Sequence, residues 1–189
     1  MRRLPFLTLA ATFAAMAAAS PATAKCPLRH PSDAPAAAKV VLPALTGRVV
    51  DNAHVLSDRE RARLAARLTA LERRTSDQLV VVTLSSLGGA PIEAVGLRLG
   101  SGWGIGRAGL DNGVLLIVAP NDHKVRIEVG CGLEGLLTDA RAASIIQEKL
   151  IPLLRQADYN DAAEVGVASI AAILESDLRR PQPRLGGGA

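Results

Sequence analysis

The first candidate site in this sequence is a glycine-rich loop that contains a carboxylic acid and an amide side chain. Asp111 and Asn112 lie within residues 109–113, directly before the apolar run 114–119. Oxygen-rich loops suit Ca²⁺, which takes roughly six to eight oxygen ligands, including backbone carbonyls. Asp-Asn-Gly is also ordinary turn chemistry, because Asn and Gly tolerate positive φ. Spacing alone leaves both interpretations open, and the loop does not follow the EF-hand pattern.

Two further acids, Glu134 and Asp139, follow the next predicted strand. That strand, residues 125–129, alternates apolar and charged side chains and returns antiparallel after a short turn. Its end therefore comes back to the sheet edge that carries Asp111. At that edge Glu134 and Asp139 could complete an acidic cluster with Asp111. Taken singly, Asp139 or Thr138 suits a helix N-cap, and Glu134 suits a solvated loop.

Asp51 is a further candidate ligand, placed before the first predicted helix. That helix runs antiparallel to the strand it feeds, so it begins at the far edge of the sheet. Residues 51–56, at about 3.3 Å each, are long enough to run back along the sheet. The sequence therefore leaves open whether Asp51 joins the other candidate metal ligands, which are Asp111, Asn112, Glu134 and Asp139.

A catalytic set is harder to find than a ligand set. The three histidines show no metal-ligand spacing, and no serine carries a nucleophile-elbow signature. Ser85 follows a predicted parallel strand, where open α/β sheets bind ligands, but no phosphate-binding glycine loop accompanies it. A phosphatase needs a nucleophile or cations that clamp the phosphoryl group. The basic residues near the acidic edge are Arg107, Lys124 and Arg126.

Hydrophobic periodicity predicts the elements that position these side chains. Ser57 and Glu60 form a capping box at the start of the first helix. A strand–helix–strand order of buried runs predicts parallel strands with a right-handed crossover. The fold class is therefore an α/β sandwich around a short mixed sheet. The predicted helices cover 58–75, 91 to about 102, 139–155 and 159–178, and the predicted strands cover 78–84, 114–119 and 125–129.

The two ends of the chain predict export and flexibility. A basic start, an apolar run and a small-residue site near Ala24 predict a cleavable signal peptide over 1–24. The composition of residues 25–45 predicts a flexible lead-in, and that of residues 179–189 predicts a disordered tail. Residues 46–178 are then predicted to form one domain. No later apolar run approaches the roughly 20 residues that span a bilayer. We expect a periplasmic or secreted protein without a transmembrane anchor after processing.

Composition argues against nucleic acid as a partner. The net charge is only +4, and beyond the signal peptide the aromatic residues are Trp103 and Tyr159. The chain therefore lacks the stacking surfaces that bind single strands.

Cys26 and Cys131 are the only cysteines. In an oxidising compartment they could form a disulfide, which is worth up to ~5 kcal/mol in the chain-entropy model. Two unpaired thiols are the alternative. Their positions do not match the usual spacing of metal ligands.

Short motifs follow one another in order over residues 47–175. They are Val50 to Ala53, Val55-Leu56-Ser57, Trp103-Gly104-Ile105-Gly106, Asp111-Asn112-Gly113-Val114, Val125 to Gly130, Gly132-Leu133-Glu134-Gly135, Leu137-Thr138-Asp139, Ile151-Pro152 and Asp158-Tyr159. By their number and order the chain resembles the TPM domain family.

The resemblance implies a three-layer, Rossmann-like α/β/α domain that is exported or membrane-tethered. Members of the family are tied to calcium binding, to photosystem II repair and to acid phosphatase activity. It makes Asp111 and Asn112 the best-supported metal position, while Asp51, Glu134 and Asp139 match other motif positions. Cys131 stands where an aromatic residue is typical. The transmembrane helix and long glycine-rich tail of many bacterial relatives are missing from this sequence.

We therefore expect an exported module of the cell envelope that binds Ca²⁺ and assists another envelope protein. The alternative is a metal-dependent acid phosphatase, so the resemblance leaves open whether the chain is an enzyme.

Overall fold

One four-stranded mixed sheet organises residues 40–178, the part of the chain that the computed structural model describes. The strand order is β1-β2-β3-β4, with the first three strands parallel and β4 antiparallel to β3. The elements in chain order are β1 (Val49–Asp51), α1 (Asp58–Thr75), β2 (Gln78–Thr83), α2 (Ile92–Trp103), β3 (Gly113–Ala119), β4 (Lys124–Val129), α3 (Asp139–Ser144), a π-helix (Ile145–Leu150), α4 (Ile151–Arg155) and α5 (Tyr159–Asp177).

The core consists of two apolar clusters, one on each face of the sheet. On one face α1 and α5 pack on the sheet, and Leu64, Leu68 and Leu71 of α1 are completely buried. On the other face α2 packs through Val95 and Leu99. Helices therefore cover both faces of the sheet, which confirms the predicted three-layer α/β/α sandwich.

The helix limits follow local capping chemistry. Ser57 accepts a hydrogen bond from the Glu60 amide at 3.2 Å, so α1 begins where the capping box predicts. The helix α2 ends at Trp103, slightly later than predicted, because Gly104 takes the left-handed conformation that closes a helix.

Two elements differ from the prediction. β1 is an additional edge strand, and its three residues are too few to show an alternating pattern. The single helix predicted over 139–155 is instead α3, the π-helix and α4. Pro152 lies at the start of α4, and a proline lacks the amide hydrogen that a continuous α-helix needs there.

The described end of the predicted lead-in packs on α2. Val40 is buried in the cluster on the α2 face, and the Trp103 Nε1 donates a hydrogen bond to the Pro43 carbonyl at 3.1 Å. The predicted signal peptide and the predicted tail lie outside the described residues. Within residues 40–178, no helix is both long and apolar enough to cross a membrane.

Two glycines allow the loop that carries Asp111 to lie against neighbouring backbone. A Cβ atom at Gly113 would lie 2.6 Å from the Ile105 carbonyl oxygen, and one at Gly130 would overlap the Asp111 carbonyl oxygen. The Gly130 amide donates to the Gly113 carbonyl at 2.8 Å. Close backbone contact with the end of β4 therefore fixes the position of this loop.

We predict that Gly130→Ala lowers the free energy of unfolding by about 2 kcal/mol or more, because forcing a methyl group into a packed site distorts its surroundings. Urea denaturation measures the loss. Gly135→Ala is the matched control, since no atom lies within 4 Å of its Cβ position. Equal stabilities of the two variants would contradict the close approach at Gly130.

Candidate functional site

The sheet has two edges at which side chains from different elements meet. At the amino edge β1, β2 and β3 begin and β4 ends. At the carboxyl edge β1, β2 and β3 end and β4 begins. The predicted metal ligands divide between these two edges.

Asn112 serves the fold at the amino edge. The residue is 5% exposed, and its Oδ1 accepts a hydrogen bond from the Arg107 amide at 2.9 Å. Its Nδ2 donates to the Ser76 carbonyl at 2.8 Å and to Asp77 Oδ1 at 3.1 Å. The amide therefore ties the Asp111 loop to the turn between α1 and β2, and its oxygen already has a protein donor.

Asp51 lies at the carboxyl edge, paired in register with Thr83, so the structure does not bring it to Asp111. The six residues of β2 separate the two edges, which is roughly 20 Å at about 3.3 Å per residue. Residues 51–56 turn directly into α1 and do not run back along the sheet.

Both oxygens of the Asp51 carboxylate accept hydrogen bonds from other groups of the protein. Its side chain is 1% exposed. One oxygen accepts hydrogen bonds from Thr83 Oγ1 at 2.5 Å and the Val55 amide at 3.2 Å. The other accepts from the Leu56 amide at 3.1 Å and lies 3.5 Å from Arg61 Nη1. Such a carboxylate holds a turn together, and both of its oxygens already accept hydrogen bonds from the protein.

Asp111, Glu134 and Asp139 remain at the amino edge. Glu134 and Asp139 are exposed, and Thr138 provides the cap of α3 by accepting from the Arg141 amide at 3.4 Å. Within residues 40–178, no three His, Cys, Asp or Glu side chains form a group that could hold a metal ion. The acidic side chains alone therefore do not form a metal centre, and calcium binding stays a prediction.

The basic residues expected beside the acids are also divided. Lys124 opens β4 and so lies at the carboxyl edge. Arg126 is paired with Glu128 and lies 3.7 Å from Glu93. Arg107 alone of the three lines a cavity of about 260 Å³ with Asp111, at the glycine-rich end of α2.

The sequence analysis missed the buried acid Glu128 on β4. Glu128 is 5% exposed and faces α2, where a Cβ at Gly96 would lie 2.9 Å from its Oε2. Burial raises the pKa of Glu128, and the hydrogen bond and charge of Arg126 oppose that rise. The alternation of apolar and charged residues in β4 is typical of a strand with one solvent-facing side, so it does not predict a buried Glu128. Gly96, a glycine inside α2, was the signal that another element approaches the helix closely.

Asp77 is a second buried acid that the sequence analysis missed. Burial raises the pKa of Asp77, and hydrogen bonds from Asn112 and Thr75 oppose it. Its carboxylate shares the Asn112 amide that anchors the Asp111 loop. Its burial therefore comes from the fold of this turn, which a short sequence pattern does not encode.

A second cavity, of about 340 Å³, opens at the carboxyl edge between β3, β4 and the helices α4 and α5. We call it the carboxyl-edge cleft. Its walls include the half-buried side chains of Val125, Ile151 and Leu154. The complete lining is Val118, Ala119, Pro120, His123, Lys124, Val125, Ile151, Leu154, Arg155 and Tyr159.

The charged groups of this cleft are cations without partners. Lys124 and Arg155 are exposed, and the side chain of neither makes a hydrogen bond or ion pair with any residue of 40–178. No Asp or Glu is part of the lining. An apolar wall with unpaired cations is suited to a ligand that carries both negative charge and apolar groups.

Cys131 lies just beyond the end of β4 and is disulfide-bonded. Cys26 lies outside the described residues, so the pairing of these two cysteines stays a prediction.

Comparisons with known proteins agree with the fold. A family model described as the TPM domain matches residues 49–173. The solution structure of the N-terminal domain of a protein from P. gingivalis is 35% identical, with a TM-score of 0.66, and the match covers 71% of this chain and 86% of that one. No curated protein matches the chain significantly.

Two more distant structures share the fold alone. The N-terminal domain of the cg2496 protein from Corynebacterium glutamicum is 18% identical, with a TM-score of 0.56, covering 79% of this chain and 93% of that one. The BA42 protein from Bizionia argentinensis is 16% identical, with a TM-score of 0.57, covering 64% and 82%.

We predict that Asp51→Asn lowers the free energy of unfolding by about 2–3 kcal/mol, because buried hydrogen bonds to a charged group are each worth about 1.5–3 kcal/mol. Chemical denaturation measures it. Asp139→Asn is the control, because Asp139 is exposed and Thr138 caps its helix. If Asp51→Asn leaves the free energy of unfolding almost unchanged, the carboxylate does not stabilise this turn.

We also predict that Glu128 makes stability depend on pH. Because its pKa is raised in the folded state, the folded protein binds this proton more tightly than the unfolded chain. Its contribution to stability therefore falls as pH rises from the unfolded pKa through the raised folded pKa, and stays low above it.

Glu128→Gln should remove that dependence, so the variant gains stability relative to the wild type as pH rises above about 4, the ordinary pKa of a glutamate in an unfolded chain. Urea denaturation at several pH values measures the difference, with the exposed Glu134→Gln as control. A difference that is constant with pH would contradict the raised pKa.

Proposed function

We propose that this chain, which belongs to the TPM domain family, is an exported binding module that holds an acidic, partly apolar segment of another envelope protein. The carboxyl-edge cleft is its binding site. One observation carries the proposal, namely that Lys124 and Arg155 stand unpaired, among residues 40–178, beside an apolar wall.

The position and size of the cleft support this role. Ligands of open α/β sheets bind beyond the carboxyl ends of the strands, and the cleft lies beyond the end of β3. Its volume of about 340 Å³ falls in the range of roughly 300–1,000 Å³ that is typical of ligand pockets. A partner carboxylate beside the cations would gain charge-assisted hydrogen bonds.

The lining favours binding over catalysis. It contains no serine, cysteine or carboxylate, so His123, Lys124 and Tyr159 have no carboxylate in the lining that could activate them as nucleophiles. The alternative, a metal-dependent acid phosphatase, would need acids gathered around an ion, and within residues 40–178 no three potential ligands form such a group. We therefore rank the phosphatase below the binding module.

Calcium remains a secondary proposal at the amino edge. Asp111 lines the cavity of about 260 Å³ there, beside backbone carbonyls of a glycine-rich loop. Asn112 and Asp51 already serve the fold, and Asp111 also has an interaction within the protein, so a calcium ion would depend mainly on the neighbouring carbonyl oxygens. Weak binding is the most that such a set supports.

Export is the third element of the proposal. It rests on the predicted signal peptide over 1–24 and is supported by the disulfide at Cys131, because disulfides persist in oxidising compartments.

We predict that a short labelled peptide alternating Glu with Leu binds the processed protein, and that a matched peptide alternating Lys with Leu does not. Changing Lys124 and Arg155 together to Gln should weaken binding by about tenfold or more, because two charge-assisted contacts are lost. Fluorescence anisotropy measures both titrations.

The control variant for this titration is Arg73→Gln with Arg59→Gln, which removes the same charge from exposed positions on α1. Equal weakening by the control would mean that net charge, and not the cleft, attracts the peptide. Repeating the titration with Ca²⁺ and then with a chelator tests the calcium proposal separately. Hydrolysis of a phosphomonoester that Asp111→Ala abolishes would favour the alternative.

A further inference from the structure

The outer edge of β4 has no strand partner among residues 40–178. β4 is the last strand of the sheet and pairs only with β3. An open edge strand offers unpaired amide and carbonyl groups to another extended chain. Its position next to the carboxyl-edge cleft makes this edge relevant to the proposed function.

The hydrogen-bond pattern identifies which residues of β4 face outward. The Gly130 amide donates to the Gly113 carbonyl, which makes Gly130 and Gly113 a hydrogen-bonded pair. Such pairs alternate along an antiparallel ladder. The register therefore directs the backbone groups of Lys124, Arg126 and Glu128 towards β3.

The backbone amides and carbonyls of Val125, Ile127 and Val129 consequently point away from β3. These groups make no hydrogen bond with any other described residue. Their side chains pack in the cluster on the α1 and α5 face. β4 thus presents a row of backbone groups that have no hydrogen-bond partner within residues 40–178. The side chains of the same three residues are already packed against the core.

We propose that the partner segment binds as an added strand on this free edge of β4. The inference rests on the proposed function and specifies how the same partner is held. Main-chain hydrogen bonds to Val125, Ile127 and Val129 supply affinity, and the cleft supplies selectivity, as in other cases of strand addition.

The carboxyl-edge cleft adjoins the unpaired side of β4, because Val125 lines the cleft and is also one of the outward-facing residues of β4. Opposite residues of paired strands place their side chains on the same face of a sheet. A partner residue opposite Val125 therefore directs its side chain to the face where Ile151 and Leu154 line the cleft.

Charge selects the sequence of the added strand. Lys124 opens β4 and lines the cleft together with Arg155 of α4, whereas the exposed acids Glu134 and Asp139 follow the end of β4. The favoured partner is an amphipathic extended segment with apolar residues on the cleft face and an acid beside Lys124. Arg126 adds little to this selection, because Glu128 already pairs with it.

Amide hydrogen exchange, followed by NMR on the processed protein with the Glu–Leu peptide, tests this mode of binding. We expect the amides of Val125, Ile127 and Val129 to exchange at least about tenfold more slowly once the peptide binds. The amides of Lys124, Arg126 and Glu128 are the internal control, because they already donate to β3 and should change little.

A second measurement uses peptides whose backbone nitrogens are methylated at alternate residues. Strand addition uses every second amide of the peptide, so one methylation pattern should weaken binding by about tenfold or more and the other should be tolerated. Equal affinity of the two methylated peptides overturns strand addition.

The outcomes separate this inference from the proposed function. A peptide that binds without slowing exchange at the outward amides overturns strand addition and leaves the binding module intact. Failure of any acidic peptide to bind overturns both. Outward amides that are protected before any peptide is added also overturn the inference, and sedimentation then distinguishes a second copy from a segment of the same chain.

Discussion

The buried carboxylate of Asp51 joins more parts of this domain than any other side chain described above. It links the end of β1 to Thr83 at the end of β2, and it holds the turn that leads into α1. The parallel pairing of β1 and β2, and the direction in which α1 returns, both depend on that turn.

Much of the fold was predictable because its signals are local. The capping box at Ser57 and the spacing of Leu64, Leu68 and Leu71 define α1 without reference to any other element. β1 escaped prediction because three residues carry no period. The π-helix escaped because its apolar pattern resembles that of an α-helix over so few turns.

The site was less predictable because function depends on contacts between distant segments. Asp51 and Asn112 have the chemistry of metal ligands, but their oxygens accept hydrogen bonds from backbone groups that the turns bring to them. The same motif residues can therefore be important to a family for the fold itself. The carboxyl-edge cleft combines residues 118–125 with 151–159, and no single stretch of sequence contains both walls.

The helical wall of that cleft begins where the π-helix ends. In the π-helix the Ile151 amide bonds to the Ile146 carbonyl, five residues back and not four. One extra residue in a turn rotates every later side chain by about 100° relative to a regular α-helix. Ile151 and Leu154 therefore face the cleft because of the rotation that the π-helix introduces. A relative that lost one residue between 145 and 150 would keep almost the same sequence, yet it would turn a different set of side chains towards the sheet.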